Sequence, residues 1–238
     1  MSGPYGTTAK YTSSPEVDAK LELVLPISGT LKDGSGFKIY RVTRKEKHEA
    51  NDSKPAVSIF LSNKPNLTKL LSKLLDDVIE TGNEYPQLSV IGIDGFMDYF
   101  LSHDAFVLVS SSPEIDSSIK NTSLDSAAFW ESNVKGMFYI KPNFPGRSSH
   151  ICNGGFITSP KYRGCGVAKQ MGTAFIKIAP ILGYKASLFN LVFATNEASL
   201  KVWRDLGFKE SGRIPKAGFL KDYGYVDAIN FFYDFGNF

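Results

Sequence analysis

Arg163-Gly164-Cys165-Gly166-Val167-Ala168 sets two glycines between a short apolar run and a helical pattern. Without Cβ atoms at Gly164 and Gly166, consecutive backbone amides can turn toward one anion, where the dipole of the following helix also favours negative charge. The chemistry such a turn serves is the holding of a phosphate-bearing ligand. Three kinds of phosphate turn compete, and spacing separates them. A nucleotide-triphosphate loop requires G-x-x-x-x-G-K-[ST], and no Gly-Lys-Ser or Gly-Lys-Thr occurs in the chain. A dinucleotide fingerprint requires G-x-G-x-x-G, but Lys169 stands where the third glycine belongs. What remains is R-x-x-G-x-[GA].

Polar residues inside apolar runs are the next candidates. Asn190 interrupts the strand pattern Ser187 to Ala194, and a buried amide left unpaired costs about 1 to 3 kcal/mol, so a ligand contact is the favoured reading. Asn153 stands in the strand pattern that leads to the glycine turn. Asn196 and Ser199 open a helical pattern, where an asparagine is also a favoured N-cap. His150 has the right pKa for a general base, although a histidine at a strand start is more often a surface residue. Cys165 lies in the turn itself, where a bound phosphate would oppose its thiolate and hence a role as nucleophile. Arg163 either adds charge to the anion site or makes a salt bridge that shapes the turn.

The elements that must position these groups follow from periodicity. Leu67, Leu70, Leu71, Leu74, Leu75, Val78 and Ile79 share one helical face, with Gly82 as the stop. A shorter helix is expected over Asp94 to Ser102, whose Phe96, Met97, Tyr99 and Phe100 either pack in the core or roof a small-ligand pocket. Helices are also expected at Val167 to Leu182 and Glu197 to Leu206. Strands are expected at Leu21 to Leu25, Phe37 to Val42, Ala105 to Ser110, Val134 to Lys141, His150 to Thr158, Ser187 to Ala194 and Ala228 to Phe235. The pair on either side of Pro142-Asn143-Phe144-Pro145-Gly146 should be antiparallel. Ser111 to Glu131 reads as a polar surface connection. Residues 1–18 read as a flexible tail and 19–238 as one domain with an elaborated N-terminal part.

Composition narrows the class. The 27 Lys and Arg against 24 Asp and Glu leave a net charge of +3, too even for a nucleic-acid surface. The basic cluster Arg41, Arg44, Lys45 and Lys47 reads as a solvated edge, with a phosphate contact as the alternative. Cys152 and Cys165 are the only cysteines, which rules out a disulfide framework or a four-cysteine zinc site and suits a reducing, cytoplasmic setting. No stretch reaches the roughly 18 apolar residues of a membrane-spanning helix.

The turn R-x-x-G-x-[GA] between a strand and a helix resembles the acetyl-CoA pyrophosphate turn of the GNAT superfamily of N-acetyltransferases. Asn196-Glu197-Ala198-Ser199 followed by Trp203-Arg204-Asp205-Leu206-Gly207-Phe208 resembles that family's second signature, N-x-x-S and Y-x-x-x-G-F. Phe138-Tyr139-Ile140-Lys141-Pro142-Asn143, Cys152-Asn153-Gly154-Gly155-Phe156 and Phe189-Asn190-Leu191-Val192-Phe193 narrow the likeness to the yeast L-azetidine-2-carboxylate N-acetyltransferases. The resemblance implies an α/β (α+β) fold: a mixed, mostly antiparallel twisted sheet, helices on both faces, and fourth and fifth strands that splay apart. It implies acetyl-CoA as co-substrate and no metal. Phe156, Ile157 and Thr158 would hold the pantetheine arm, and Arg163, Gly164, Cys165, Gly166, Val167 and Ala168 the pyrophosphate. Asn196 and Ser199 would contact the arm or acyl end.

Asn153 falls where many family members carry a carboxylate base, so as an amide it should recognise substrate, and with Asn190 it forms the candidate catalytic pair. Trp203 replaces the usual tyrosine acid, and its indole N–H is too weak to serve. The implied reaction is acetyl transfer to the secondary amine of a small cyclic imino acid by direct attack in a ternary complex, with no nucleic-acid or membrane partner, and a homodimer is expected. Other amines, polyamines or protein amino groups are the alternative acceptors. A CoA-binding module without catalysis is the remaining reading.

Overall fold

The computed structural model describes residues 14–44, 58–121 and 124–236. The strands are β1 (Ile27–Thr30), β2 (Gly36–Thr43), β3 (Ser58–Phe60), β4 (Asp104–Ser110), β5 (Val134–Pro142), β6 (Ile151–Thr158), β7 (Ala186–Phe193), β8 (Lys209–Leu220) and β9 (Gly224–Asp234). They form one nine-stranded sheet in the order β1-β2-β4-β5-β6-β7-β9-β8, with β3 pairing parallel to β2. Every other pairing is antiparallel except that of β6 with β7.

Alternation along the central strands sends side chains to two cores, as a period of two requires. Phe106, Leu108, Phe138 and Ile140 face a layer that holds α1 (Pro15–Glu22), α6 (Val167–Ile181) and α7 (Glu197–Asp205). Ala105, Val107, Val109, Met137 and Tyr139 face the other layer, with α2 (Pro65–Thr81), α3 (Gly92–Tyr99), α4 (Pro113–Lys120) and α5 (Ala127–Asn133). The periodic face of α2 is buried as expected except at Leu70, which is half-buried against the same core. Its first turn has no side-chain cap of its own; Asp125 takes the Asn66 and Leu67 amides at 2.7 and 3.3 Å.

Several expectations are corrected. Leu21 to Leu25 is not a strand: Ser14 caps α1, Pro15 is its first residue, and Glu16 pairs with Lys20 one turn on. These local helix signals outweigh the aliphatic run, and α1 takes in Pro15 to Asp18 from the expected tail. Residues 1–13 lie outside the described residues. Ser111 to Glu131 contains α4 and α5, each started by a serine cap, Ser112 on the Ile115 amide and Ser126 on the Phe129 amide. Strand β8 shows no alternation because nearly all of it is exposed. Arg41 is spent on Asp18 and Asp104 at 2.7 and 2.5 Å, and Arg44 on Asp98 and the Met97 carbonyl, so neither stands free for a phosphate. Lys45 and Lys47 lie outside the described residues.

Candidate active site

Strands β5 and β6 pair from Gly136↔Thr158 to Pro142↔Cys152, whereas β6 and β7 pair only at Ile151↔Ala186 and Cys152↔Ser187. Beyond Cys152 the two strands part, so the side of β6 facing β7 has no ladder partner from Asn153 to Thr158. An aromatic wedge fills the gap: Phe156 lies 4.7 Å from Trp203 and 5.7 Å from Phe189, ring centre to ring centre. Strand β7 also carries a bulge, with the register to β9 slipping between Phe189 and Val192. Bulges re-aim a strand locally, and this one turns Asn190 and Leu191 toward the opening. The expected splay of a fourth and a fifth strand is therefore that of β6 and β7.

The glycine turn sits at the end of this opening. Gly164 and Gly166 have φ of +79° and +88°, in the region that side chains with a Cβ avoid. The Cys165 carbonyl accepts from the Lys32 amide at 3.3 Å, which ties the turn to the β1–β2 connection. Among the described residues no protein group accepts from the amides of Gly164, Gly166, Val167 or Ala168, the last two being the first turn of α6. These are donors without acceptors at a helix N-terminus, the arrangement that binds anions. Val167 itself points into the core. Lys135 and Lys161 stack near the Tyr162 ring at 4.0 and 5.6 Å, adding positive charge close by, and burial lowers the Lys135 pKa. Arg163 does not lean over the turn: it faces Glu84 at 3.5 Å, so its salt-bridge reading holds.

A cavity of about 220 Å³ opens where β6 and β7 separate. Asn153 to Phe156 of β6 and Phe189 to Phe193 of β7 form two walls, and Asn196, Ser199 and Trp203 of the α7 region a third. Glu84, Tyr85 and Pro86 from the α2–α3 connection, with Tyr99 and Tyr139, close the far side. The backbone of β6 must come close to these tyrosines. A Cβ on Gly155 would lie 2.4 Å from Tyr139 Cε1 and 2.8 Å from Tyr85 Oη, so only glycine fits there. Of the aromatics expected on α3, Phe96 and Phe100 are core and Tyr99 lines the cavity, so both readings of that cluster hold for different residues.

The expected site residues behave differently from one another. Asn153 lines the cavity; its Oδ1 accepts from the Gly154 amide at 2.8 Å, and its Nδ2 has no partner among the described residues. Asn190 also lines the cavity, but its side chain is paired reciprocally with Asn143 at 2.9 and 2.5 Å, and its carbonyl accepts from Asn230 Nδ2 at 2.6 Å. The unpaired amide that pointed Asn190 to a ligand is thus satisfied by protein. Asn196 caps α7 through the Ser199 amide at 3.1 Å. Ser199 Oγ accepts from Trp203 Nε1 at 2.9 Å, which leaves the serine O–H to donate elsewhere. Phe156 belongs to the wedge and Ile157 to the core, so β6 offers backbone there. The His150 ring meets the Arg147 carbonyl at 3.2 Å, outside the cavity walls. Cys165 remains half-buried in the turn, with its Sγ 3.8 Å from the Arg163 carbonyl.

Sequence reasoning passed over Lys141. It stands opposite Asn153 in the β5–β6 register, with Nζ 4.0 Å from the centre of the Tyr99 ring and 4.4 Å from that of Tyr139. Burial pushes its pKa down to about 8. The available signal was a lysine ending the apolar run Gly136 to Ile140, the same kind of interruption that drew attention to Asn190. Among the described residues no cluster of His, Cys, Asp and Glu could hold a metal ion, and no helix is long and apolar enough to cross a membrane.

Comparison with known proteins places this geometry. Residues 99–208 match the family described as Acetyltransferase (GNAT) family. N-acetyltransferase aca1 of Schizosaccharomyces pombe is 39% identical over 183 residues, covering 75% of this chain and 85% of aca1. A GCN5-related N-acetyltransferase from Kribbella flavida superposes with a TM-score of 0.60 at 19% identity, over 83% of this chain and 97% of its own. The putative acetyltransferase yncA from Salmonella typhimurium, solved with its cofactor acetyl-CoA, superposes with a TM-score of 0.57 at 12% identity, over 72% of this chain and 90% of its own. The split sheet, the glycine turn and the extended identity to aca1 together make this chain a member of the GNAT acetyltransferase family, an N-acetyltransferase.

Proposed function

We propose that the chain transfers the acetyl group of acetyl-CoA to the secondary amine of a small cyclic imino acid, azetidine-2-carboxylate or a proline-like acid, with both substrates bound together. The carrying observation is the cavity at the β6–β7 split: it is small, its strand walls are uncharged, and its one carboxylate, Glu84, faces Arg163. At about 220 Å³ it lies below the roughly 300 Å³ at which pockets for drug-sized ligands begin. A polyamine or a protein lysine is cationic and needs an acidic groove, which these walls do not supply.

The donor side rests on fit. The free amides of Gly164, Gly166, Val167 and Ala168 suit a pyrophosphate, and the unpaired edge of β6 from Phe156 to Thr158 suits the amides of a pantetheine arm. Acetyl-CoA supplies the activated acetyl thioester. The chain's own contribution is positioning, which accelerates a reaction between two bound partners by removing their translational and rotational freedom. Asn153 Nδ2 and the Ser199 O–H are free to donate into the cavity. Asn190 serves as a positioning residue that holds the bulge. Neither Asn153 as an amide nor Trp203 as an indole exchanges a proton at neutral pH, so water or another group must take the amine's proton and protonate the sulfur.

Measuring CoA released from acetyl-CoA tests the proposal directly. Release is expected with azetidine-2-carboxylate or a proline analogue. Release only with polyamines, peptides or protein substrates would overturn the imino-acid reading.

A further inference from the structure

Donors and acceptors around the far wall of the cavity do not balance. Lys141 brings three N–H donors and no acceptor, and no carboxylate pairs with it among the described residues; its ammonium rests only on the Tyr99 and Tyr139 rings. Tyr85 Oη is buried with no hydrogen-bond partner. Tyr99 Oη and Tyr139 Oη lie 3.1 Å apart, so one of them donates to the other and the second proton is unused. Asn153 spends its acceptor on Gly154 and keeps its NH2 group. Tyr85, Tyr99, Tyr139 and Asn153 all line the cavity; Lys141 is not itself a lining residue but stands behind this wall, against the Tyr99 and Tyr139 rings and across the ladder from Asn153. Each of these groups has an N–H or O–H left to donate, and one carries a positive charge.

A half-buried cation without a counter-ion and a buried hydroxyl without a partner are both unfavourable unless a ligand completes them. The complement is a compact, acceptor-only anion, and a carboxylate has that chemistry. Taking the cavity as the acceptor site, as proposed above, we infer that Lys141, aided by the hydroxyls of Tyr85 and the Tyr99–Tyr139 pair, is the receptor for the acceptor's carboxylate and selects amino or imino acids over neutral amines. The cation lies on β5, outside the β6–β7 opening, so an acceptor anchored through its carboxylate presents its amine toward the split. Burial that lowers the Lys141 pKa adds to the argument: the ammonium is poorly solvated in the free enzyme and gains on meeting an anion. Glu84, the one carboxylate of the wall, is turned to Arg163.

The test compares acids with their neutral counterparts, azetidine-2-carboxylate against azetidine and proline against prolinamide, in the wild type, Lys141→Met, Lys141→Arg and Tyr85→Phe. Loss of a charge-assisted contact predicts a rise in KM for the acids of roughly ten- to a hundredfold in Lys141→Met. KM for acetyl-CoA and rates with the neutral amines should stay put, and Lys141→Arg should recover part of the loss. Tyr85→Phe removes only an unpartnered hydroxyl; its expected result is an unchanged Tm and a smaller rise in KM for the acids alone. Equal losses for acids and neutral amines in Lys141→Met, or an intact preference for acids, would overturn the assignment.

Linear amino acids and their amides separate this inference from the imino-acid reading. If only linear acids are acetylated, the cyclic substrate is wrong and Lys141 is judged on the linear pairs; if only neutral or cationic amines are, both ideas fail. Thermal shift with N-acetylproline supplies a readout without turnover. Stabilisation of the wild type but not of Lys141→Met supports the receptor, and no stabilisation of either refutes it.

Discussion

Asn190 offers the sharpest separation of a ligand contact from a structural one. Its amide exchanges two hydrogen bonds with Asn143, at 2.9 and 2.5 Å, across 47 residues of sequence, and both side chains are half-buried. Each such bond contributes about 0.5 to 1.5 kcal/mol net, so Asn190→Ala should cost roughly 1 to 3 kcal/mol. In a domain of this size that is a fall in Tm of about 2 to 4 °C per kcal/mol. If the pair is the point, Asn143→Ala should cost the same and the double variant little more, because either single change already removes both bonds. Activity should follow the same pattern, since each variant loosens the bulge that aims Leu191 and the β7 wall. The assay is thermal unfolding of the four proteins alongside CoA release at saturating acetyl-CoA. A large drop in kcat for Asn190→Ala with Tm unchanged, and no such drop for Asn143→Ala, would refute the structural account and return Asn190 to the ligand.

Gly166→Ala forces a Cβ into the left-handed region at φ +88°, 3.3 Å from Lys32 Cγ, which costs about 1 to 2 kcal/mol in this turn; a turn that relaxes to relieve the strain re-aims its amides, so KM for acetyl-CoA should rise while KM for the acceptor holds, as steady-state kinetics would show. Trp203→Phe keeps a ring in the wedge and loses the Nε1–Ser199 bond, so Tm should drop while kcat stays within about tenfold; a fall of the order of 10²- to 10⁴-fold would mark the indole as a proton donor after all. The pH dependence of Lys141 has a definite sign. Its folded pKa of about 8 lies below the ordinary 10.5, so between those values the unfolded chain binds the extra proton, and stability rises with pH relative to Lys141→Met. Over the same rise in pH the ammonium is lost, so affinity for N-acetylproline, which has no titrating amine, should weaken above about pH 8. Chemical denaturation and calorimetry from pH 7 to 10 check the two halves.

The parts of the site legible in the sequence are those whose chemistry is local. Gly164 and Gly166 carry their meaning in positive φ and in the helix that follows, and Asn196 with Ser199 in a cap that closes within three residues. Helix α2 was legible because one buried face imposes a period, and the central strands because burial on both faces makes them nearly continuous apolar runs. Strand β8 was not, because exposure on both sides removes the period, and Gly212, Pro215 and Gly218 read as turn residues. Helices α4 and α5 are short and hold few buried side chains; only Ser112 and Ser126 mark where they begin.

The acceptor side is illegible for a different reason, which bears on what the site is. Lys141 gains its surroundings from Tyr99 on α3, from Tyr139 two residues earlier on β5, and from Asn153 through the β5–β6 register. Tyr85 joins them from the connection after α2, and Asn143 takes Asn190 out of contention from a loop 47 residues away. Only Tyr139 and Lys141, two apart on β5, are linked by a spacing rule; the other positions come from separate elements, and only the fold makes them neighbours. Residues that hold a shared donor substrate can sit on one turn, whose geometry serves every acceptor alike. Residues that choose an acceptor must surround it, and so must come from several elements at once. The sequence signatures here therefore speak to how the acetyl donor is held, and the unspent donors of Lys141, Tyr85 and Asn153 speak to what receives the acetyl group.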